Sequence, residues 1–207
     1  MQVDLADLDP MAGYKLLTAT VTPRPIAWVT SLGADGTVNA APFSFFNAMG
    51  HTPPTVALGL QADPVKGFKD TATNILARGE FVVNLVSESV AEKMNQTSID
   101  APGDVSEFEA AGLTRLASRH VGPPHIAESP VSFECVNLSS IVTGPSQTVV
   151  IGRVLSIRIN DAYILDADRF HVDTPALRLI ARMHGRGWYA RGTDLFQLTR
   201  PKSDTKK

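Results

Sequence analysis

Cysteine is almost absent from this 207-residue sequence, because Cys135 is the only one. A single cysteine cannot form an internal disulfide, and no cysteine–histidine ladder indicates a zinc site. The five histidines show neither an i, i+4 pair on a helix nor a neighbouring carboxylate motif, so no metal site is predicted. We expect Cys135 to be a small buried side chain in a strand, and the chain to reside in a reducing cytoplasm.

Long apolar runs and an excess of charge are also missing. No stretch approaches the roughly 20 apolar residues that cross a bilayer, and the acidic start M-Q-V-D-L-A-D-L-D-P lacks the apolar centre of a signal peptide. Nineteen basic and 21 acidic residues give a net charge of −2. This balance argues against bulk binding to nucleic acid or to acidic membranes. The length predicts one domain over 1–207, with its core at about 14–190 and a frayed tail at about 201–207.

Two nucleotide-binding signatures and one acyl-transfer signature are absent. The sequence has no G-x-x-x-x-G-K-[ST] phosphate loop, and Gly185-Arg186-Gly187 is not followed by the last glycine of G-x-G-x-x-G. The Gly144-Pro145-Ser146 segment lacks the second glycine of a nucleophile elbow. A Rossmann domain and an α/β-hydrolase are therefore not expected.

Short strands dominate what is present. Apolar, β-branched runs predict strands at 26–32, 38–41, 55–60, 80–86, 131–142 and 148–159. The turn Gly33-Ala34-Asp35-Gly36 predicts a hairpin between the first two. A short helix is predicted at 70–77, with Asp70 as its cap. Further short helices are predicted after the capping boxes at Ser89 and Ser106, and at 174–183. The segment 11–17 suits either a helical turn or an edge segment. This pattern predicts a mainly β, antiparallel barrel with short helices in its connections.

Two segments carry the groups that a flat, phosphorylated ligand needs. The stretch from Val21 to Asn47 combines small hydroxyls and amides with adjacent phenylalanines, and its Arg24 stands between two prolines. The triplet Lys69-Asp70-Thr71 begins a predicted helix, whose unpaired N–H groups and dipole attract phosphate. Taken alone, the triplet is better explained as an ordinary capped helix, and Arg24 suits a solvated loop charge equally well.

The motifs gain meaning from their order. R-P-I-A-W-V-T-S, N-A-A-P-F-S-F-F-N, K-D-T-x-x-N and E-F-V-V-N follow one another, and S-E-F-E-x-A-G-L, I-A-E-S-P-V-S-F-E-C and A-R-M-H-G come later. This arrangement resembles the flavin reductase-like, FMN-binding split-barrel family, which includes flavoredoxin and the reductase components of two-component monooxygenases. The resemblance covers roughly residues 14–189.

The resemblance implies a split β-barrel of Greek-key type and a homodimer with flavin near the subunit interface. It also implies an NAD(P)H:flavin reductase, which passes hydride from NADH or NADPH to bound FMN. FAD is a possible substitute for FMN. An FMN-binding electron carrier without reductase activity is the alternative, and a partner monooxygenase is a further implied partner. No catalytic residue is assigned. Expected flavin contacts are Arg24, Thr30, Ser31, Ser44, Phe45, Phe46, Asn47, Lys69, Asp70, Thr71 and Asn74. The variable segment 182–189 either closes over the flavin or meets the partner subunit, and its His184 is a candidate nicotinamide contact.

Overall fold

The fold is built almost entirely from antiparallel strands. The computed structural model describes residues 1–63, 67–99, 106–145 and 147–201. Apart from Pro201, the predicted tail at about 201–207 lies outside these ranges. The strands are β1 Arg24–Pro25, β2 Ala27–Leu32, β3 Val38–Phe43, β4 Phe46–His51, β5 Pro54–Asp63, β6 Gly67–Phe68, β7 Glu80–Leu85, β8 Arg115–Leu116, β9 His125–Ile126, β10 Val131–Gly144, β11 Gln147–Ile159, β12 Ile164–Asp166, β13 His171–Val172, β14 Ile180–Arg182 and β15 Tyr189–Arg191.

Helices occupy the connections. They are α1 Pro10–Thr20, α2 Asp70–Arg78, α3 Ala91–Gln96 and α4 Glu107–Ala110, with 3₁₀ turns at Leu5–Asp7, Glu88–Val90 and Asp161–Tyr163. None of the helices in the described ranges is both long and apolar enough to cross a bilayer. The helical option for 11–17 is therefore correct, and the helix predicted at 70–77 is confirmed.

One large sheet forms a split barrel, as predicted. Its strands run in the order β3-β2-β7-β10-β11-β5-β4, and β6 pairs with the outer end of β5. The end strands β3 and β4 are joined by Ser44 and Phe45 alone. The Gly59 N–H on β5 donates to the Phe45 carbonyl at 2.7 Å, so the two ends of the strand order meet at this turn. The predicted 33–36 turn is confirmed: Gly36 has φ +88° and its N–H donates to the Gly33 carbonyl at 3.0 Å.

Strand β2 separates two apolar cores. Successive side chains of a strand point to opposite faces. Ala27 and Val29 therefore join the barrel core, which also contains Cys135 and the inner face of α2, whereas Trp28 joins a second core beneath α3 and α4. Trp28 is completely buried, and its indole N–H donates to the Thr97 hydroxyl at 2.8 Å. Burial on both faces explains why β2 reads as an almost continuous apolar run.

One helix prediction was wrong, and one predicted helix start was wrong although its helix, α3, forms. Residues 174–177 form a turn, and Ile180–Arg182 is strand β14, which pairs with β1 and β15. The Ile180 N–H donates to the Val86 carbonyl at 3.0 Å, so tertiary pairing outweighs the local helix signal. The Ser89 capping box does not form, because a 3₁₀ turn precedes α3 and the Ser89 hydroxyl meets that of Ser87 at 2.9 Å.

Only one of the two hydrogen bonds of the Ser106 capping box forms. The Ser106 hydroxyl oxygen accepts from the Glu109 N–H at 3.3 Å and donates to the Val38 carbonyl at 2.6 Å. The Glu109 carboxylate turns away to pair with Arg115 at 2.5 Å instead of returning to the helix start. The box therefore joins α4 to β3, which brings Glu107 next to that strand.

Candidate functional site

Two neighbouring cavities share strand β3 and the start of α2. The first, of about 190 Å³, contains rings and is called the aromatic cavity; its lining includes Tyr14, Pro42, Phe43, Ser44, Phe45, Gly59, Gln61 and Lys69. The second, of about 290 Å³, contains amides and carboxyls and is called the polar cavity; its lining includes Gly33, Asp35, Val38, Asn39, Asp70, Asn74 and Glu107. Neither reaches the lower end of the roughly 300–1,000 Å³ range of small-molecule sites. They lie at the two ends of β3, one on each side of the α2 start, and they differ in chemistry.

The aromatic cavity depends on a close approach of backbone to ring. A Cβ on Gly59 would lie 2.9 Å from the Phe45 Cβ and 3.3 Å from its ring, so only glycine fits at this point of β5. Phe45 in turn meets Tyr14 of α1, with ring centroids 6.1 Å apart and planes tilted by 53°. The turn that joins the two ends of the barrel is thus packed between a helix and a glycine.

Asn39 is the centre of the polar cavity. Its side-chain oxygen accepts from the Thr71 hydroxyl at 2.7 Å and, more weakly, from the Ser31 hydroxyl at 3.5 Å. Its side-chain N–H donates to Glu107 at 2.9 Å, and Asn74 donates to the Ser31 hydroxyl at 3.1 Å. All five side chains are at least nine-tenths buried. The network joins β2, β3, α2 and α4, so it holds the cavity walls in a fixed relation.

Three acidic side chains gather at the polar cavity. Burial raises the pKa of Glu107, and the nearby Asp70 carboxylate raises it further, against hydrogen bonds from its own backbone N–H and from Asn39. Asp35, across the cavity, is held below its usual pKa by the N–H and hydroxyl of Thr37. A phosphate dianion is therefore disfavoured beside these carboxylates.

Lys69 lies at the start of α2, on the side opposite to the polar cavity. It is the N-cap of α2, without a side-chain capping bond, and Asp70 is the first helical residue; the assignment of Asp70 as the cap was wrong. The Lys69 carbonyl accepts from the Thr73 N–H at 3.0 Å. Lys69 faces the aromatic cavity while Asp70 faces the polar one. Lys69 thus lines the aromatic cavity next to the start of α2, where the positive end of the helix dipole lies.

Arg24 is buried and is held by backbone carbonyls. Its guanidinium donates to the carbonyls of Thr18 at 2.6 Å, Val21 at 2.7 Å and Met183 at 3.0 Å. Its Nε lies 3.5 Å from the Ser44 hydroxyl. Burial lowers its pKa, although a guanidinium still remains charged. Arg24 joins the end of α1 and the end of β14 to the turn beside the aromatic cavity.

The remaining predicted contacts fall into two groups. Thr30 is completely buried and its hydroxyl donates to the Pro124 carbonyl at 2.5 Å, outside both cavities. Ser44 and Phe46 are half-buried and Asn47 is exposed, with its side-chain oxygen accepting from the Ala48 N–H. In the single chain Thr30, Ser31, Thr71 and Asn74 thus bond to protein groups, and their flavin contacts stay predictions.

The hairpin between β14 and β15 begins at Met183, beside Arg24. Exposed His184 and Trp188 stack at its tip, with ring centroids 6.4 Å apart and planes 15° from parallel. Arg182 lies over the Tyr189 ring at 5.0 Å and donates to the Gly185 carbonyl at 3.0 Å. The bond from Arg24 to Met183 places the base of this hairpin near Ser44 and the aromatic cavity.

Several site residues escaped the sequence analysis. Asn39 stands within the quoted N-A-A-P-F-S-F-F-N motif, and Glu107 within the S-E-F-E box, but no local pattern shows that they meet. Tyr14 and Gly59 lie in cavity walls formed by distant elements.

Cys135, as expected, is buried in β10, and burial raises the pKa of its thiol. No group of three or more His, Cys, Asp or Glu side chains suited to a metal occurs in the described ranges.

The comparison with known proteins identifies the fold. The model for the flavin reductase like domain matches residues 19–171. The chain belongs to the flavin reductase-like family. The resemblance of its motifs is thereby confirmed, and so is a flavin-related function at the level of the family.

Solved structures agree with this family assignment. The 2-nitrobenzoate 2-nitroreductase NbaA of Pseudomonas fluorescens has a TM-score of 0.88 at 34% identity, covering 97% of this chain and 96% of that one. Nitrilotriacetate monooxygenase component B of Bacillus cereus has a TM-score of 0.90 at 31% identity, covering 96% and 98%. A Shewanella frigidimarina protein with a split-barrel domain has a TM-score of 0.80 at 22% identity, covering 97% and 100%; this last likeness concerns the fold alone.

Proposed function

We propose that this flavin reductase-like protein binds FMN in the groove formed by the aromatic and polar cavities, and that it passes hydride from NADH or NADPH to the flavin. The observation that carries the proposal is the start of α2. There a helix N-terminus and Lys69 border a cavity lined by rings, beside a second cavity lined by amides and carboxyls. FMN has the same three parts: a phosphate, a flat ring system and polar ring edges.

The residues present fit FMN in one orientation better than in the other. Lys69 and the first turn of α2 offer positive potential for the phosphate. Asp70 and Asp35 oppose a phosphate in the polar cavity, whereas the Asn39 amide and the Glu107 carboxyl can hydrogen-bond hydroxyl and amide groups. The phosphate is therefore assigned to the Lys69 side, with polar flavin or ribityl groups toward Asn39.

Bound FMN would supply the two-electron acceptor, which the side chains of this chain cannot provide. The chain's own residues then have positioning roles. Phe45, held by Gly59 and Tyr14, provides an apolar surface for the ring, and the Asn39 network fixes the polar wall before the ligand arrives. No general base is required for hydride transfer, so none is assigned.

The nicotinamide is assigned to the open side of the groove near the β14–β15 hairpin. His184 and Trp188 are exposed flat rings there, and stacking suits a nicotinamide or adenine ring. Exposed apolar side chains of α1, including Met11 and Leu17, lie on the helix that carries Tyr14. We assign this helix to the surface of a homodimer, in which the second copy would deepen a groove that is shallow in one chain.

A partner monooxygenase is part of the proposal. The similar component B of Bacillus cereus belongs by its name to a nitrilotriacetate monooxygenase. By analogy, reduced flavin formed here would serve an oxygenase supplied by another chain. Mixing the protein with candidate oxygenases, and following substrate oxidation that depends on NADH or NADPH, tests this part separately.

Anaerobic spectroscopy tests the main proposal. The protein is titrated with FMN, then with NADH or NADPH, while flavin absorbance is followed. Bleaching with either nucleotide is the expected result. A visible flavin spectrum that neither nucleotide bleaches would leave an electron carrier, and no binding of FMN or FAD would remove both functions.

The phosphate assignment has its own test. Lys69→Gln should weaken FMN binding more than riboflavin binding, because only FMN carries the phosphate. Lys15→Gln, on α1 and outside both cavities, is the matched control. Equal weakening of FMN and riboflavin by Lys69→Gln would place the phosphate elsewhere.

A further inference from the structure

A larger cavity, of about 520 Å³, lies outside the barrel, beneath the segment that connects β8 and β9. Its floor includes Glu134 of β10, whose neighbour Cys135 points into the barrel core, so Glu134 projects from the opposite face of the strand. The α2 helix packs on the barrel-core side. This cavity is therefore separate from the aromatic and polar cavities, and its volume is within the range of small-molecule sites.

The acidic charge of the floor is already compensated. Glu134 is almost fully buried and accepts from the N–H groups of Arg119 at 3.0 Å and His120 at 2.7 Å, and from His125 Nε2 at 2.9 Å. Burial opposes its ionisation, but these three donors together outweigh burial and keep the pKa of Glu134 below its usual range. Because an ionised carboxylate can only accept hydrogen bonds, the 2.9 Å contact assigns an N–H to His125 Nε2.

The other ring nitrogen of His125 is a buried polar atom without a partner. The side chain is only 3% exposed and lines the cavity, yet Nδ1 has no hydrogen-bond partner among the described residues. Buried polar atoms are rarely left unpaired, and such an exception calls for a bound molecule or a functional role. The floor thus retains hydrogen-bonding capacity that the chain itself does not use.

Two arginines line the same cavity. Arg158 uses one nitrogen to donate to the Ser129 carbonyl at 3.1 Å, and the Arg119 guanidinium has no ion pair within the described ranges. Ser156 and Asn160 add a hydroxyl and an amide, and Asp161 adds one carboxylate. With Glu134 compensated, the cations outnumber the remaining carboxylate. Guanidinium forks match the geometry of carboxylate and phosphate groups.

We propose that this cavity is a second ligand site, which takes a small polar organic anion whose carboxylate or phosphate group is held by Arg119 and Arg158. The hydroxyl and amide of Ser156 and Asn160 contact the rest of the ligand, and the His125–Glu134 pair forms the floor. The inference does not rest on flavin binding, because no residue of the aromatic or polar cavity takes part.

Calorimetric titration with two probes tests the site and separates the two anion classes. Citrate represents carboxylates, and AMP represents phosphate esters. We expect at least one probe to bind saturably, and Arg119→Gln with Arg158→Gln to weaken it about tenfold or more, which corresponds to about 1.4 kcal/mol. Arg153→Gln, on the same strand but outside the cavity lining, is the matched control and should bind as the unmodified protein does.

Ring resonances of His125 provide a second readout that does not depend on activity. They should shift in step with saturation by the probe, while those of His184, on the distant hairpin, should not. FMN affinity should be the same in the arginine double variant as in the unmodified protein. The proposal fails if neither probe binds up to roughly 10 mM, if the double variant binds equally well, or if His125 does not respond.

Discussion

The Thr71 hydroxyl donates to the Asn39 side-chain oxygen at 2.7 Å, joining the first turn of α2 to the middle of the polar cavity wall. Both residues are buried. The bond fixes the helix start relative to β3, and with it the position of Lys69 next to the aromatic cavity. The orientation of the proposed phosphate site therefore depends on an amide that lies in the neighbouring cavity.

Asn39→Ala is expected to destabilise the protein and weaken FMN binding. It removes the partner of Thr71 and of Glu107, and unpaired buried polar groups cost about 1–3 kcal/mol. The free energy of unfolding from urea denaturation measures the first effect, and flavin fluorescence the second. Asn47→Ala, an exposed amide bonded to its neighbouring backbone, is the stability control. A loss of stability without any loss of FMN affinity would separate the Asn39 network from the flavin site.

Gly59→Ala should disturb the aromatic cavity directly. The new Cβ would lie 2.9 Å from the Phe45 Cβ, so the ring must move or the strand must shift. Overpacking of this kind costs about 1–3 kcal/mol, and we expect weaker FMN binding at the same time. The control is Gly144→Ala, where no heavy atom lies within 4 Å of the added Cβ. Unchanged FMN affinity in a folded Gly59→Ala protein would show that Phe45 does not line the flavin site.

Arg24→Lys should be destabilising although it keeps the charge. The guanidinium donates to three carbonyls at 2.6–3.0 Å, from α1, the segment after it and the end of β14. A lysine ammonium cannot reproduce this planar fork. Hydrogen bonds from charged groups contribute about 1.5–3 kcal/mol each, so a loss of about 3 kcal/mol in urea denaturation is expected. Arg169→Lys, exposed between β12 and β13, should change stability by less than about 0.5 kcal/mol.

Arg24 also shows where sequence reasoning reaches its limit. The prolines on both sides indicate a stiff segment, and the motif order predicts the barrel, its hairpin and the helix at α2. The Met183 carbonyl is 159 positions from Arg24 in the chain, and no local pattern indicates that they meet. The guanidinium is expected near the flavin as a charge, and that contact stays a prediction; its bonds to a buried set of carbonyls could not be foreseen from the sequence.

The helix prediction for residues 174–183 was wrong for a related reason. Pro175 and the spacing that follows are typical of a helix start, and these are local signals. The observed strand is decided by backbone pairing of Ile180 with Val86 and of Arg182 with Arg24 and Tyr189. Val86 and Arg24 are distant in sequence, so local helix propensity could not show that pairing with them competes.

Glu88 should give the protein an acid-sensitive contribution to stability. Its carboxylate pairs with Arg191 at 2.5 Å and Arg178 at 2.7 Å, and these hydrogen bonds lower its pKa to about 2. A carboxyl whose pKa is lowered by folding stabilises the folded state above its ordinary pKa near 4.5, and loses that contribution as the pH falls toward 2. The free energy of unfolding should therefore decrease as the pH falls through this window.

Urea denaturation of Glu88→Gln at about pH 6 and about pH 3 measures this contribution. The variant should be less stable than the unmodified protein at the higher pH, and the difference should shrink at the lower pH, because protonation removes the charge from the unmodified carboxyl too. Glu92→Gln, on α3, has no ion-pair partner among the described residues and is the control. A difference between Glu88→Gln and the unmodified protein that stays constant across the window would mean that the two arginines do not act through the charge of Glu88.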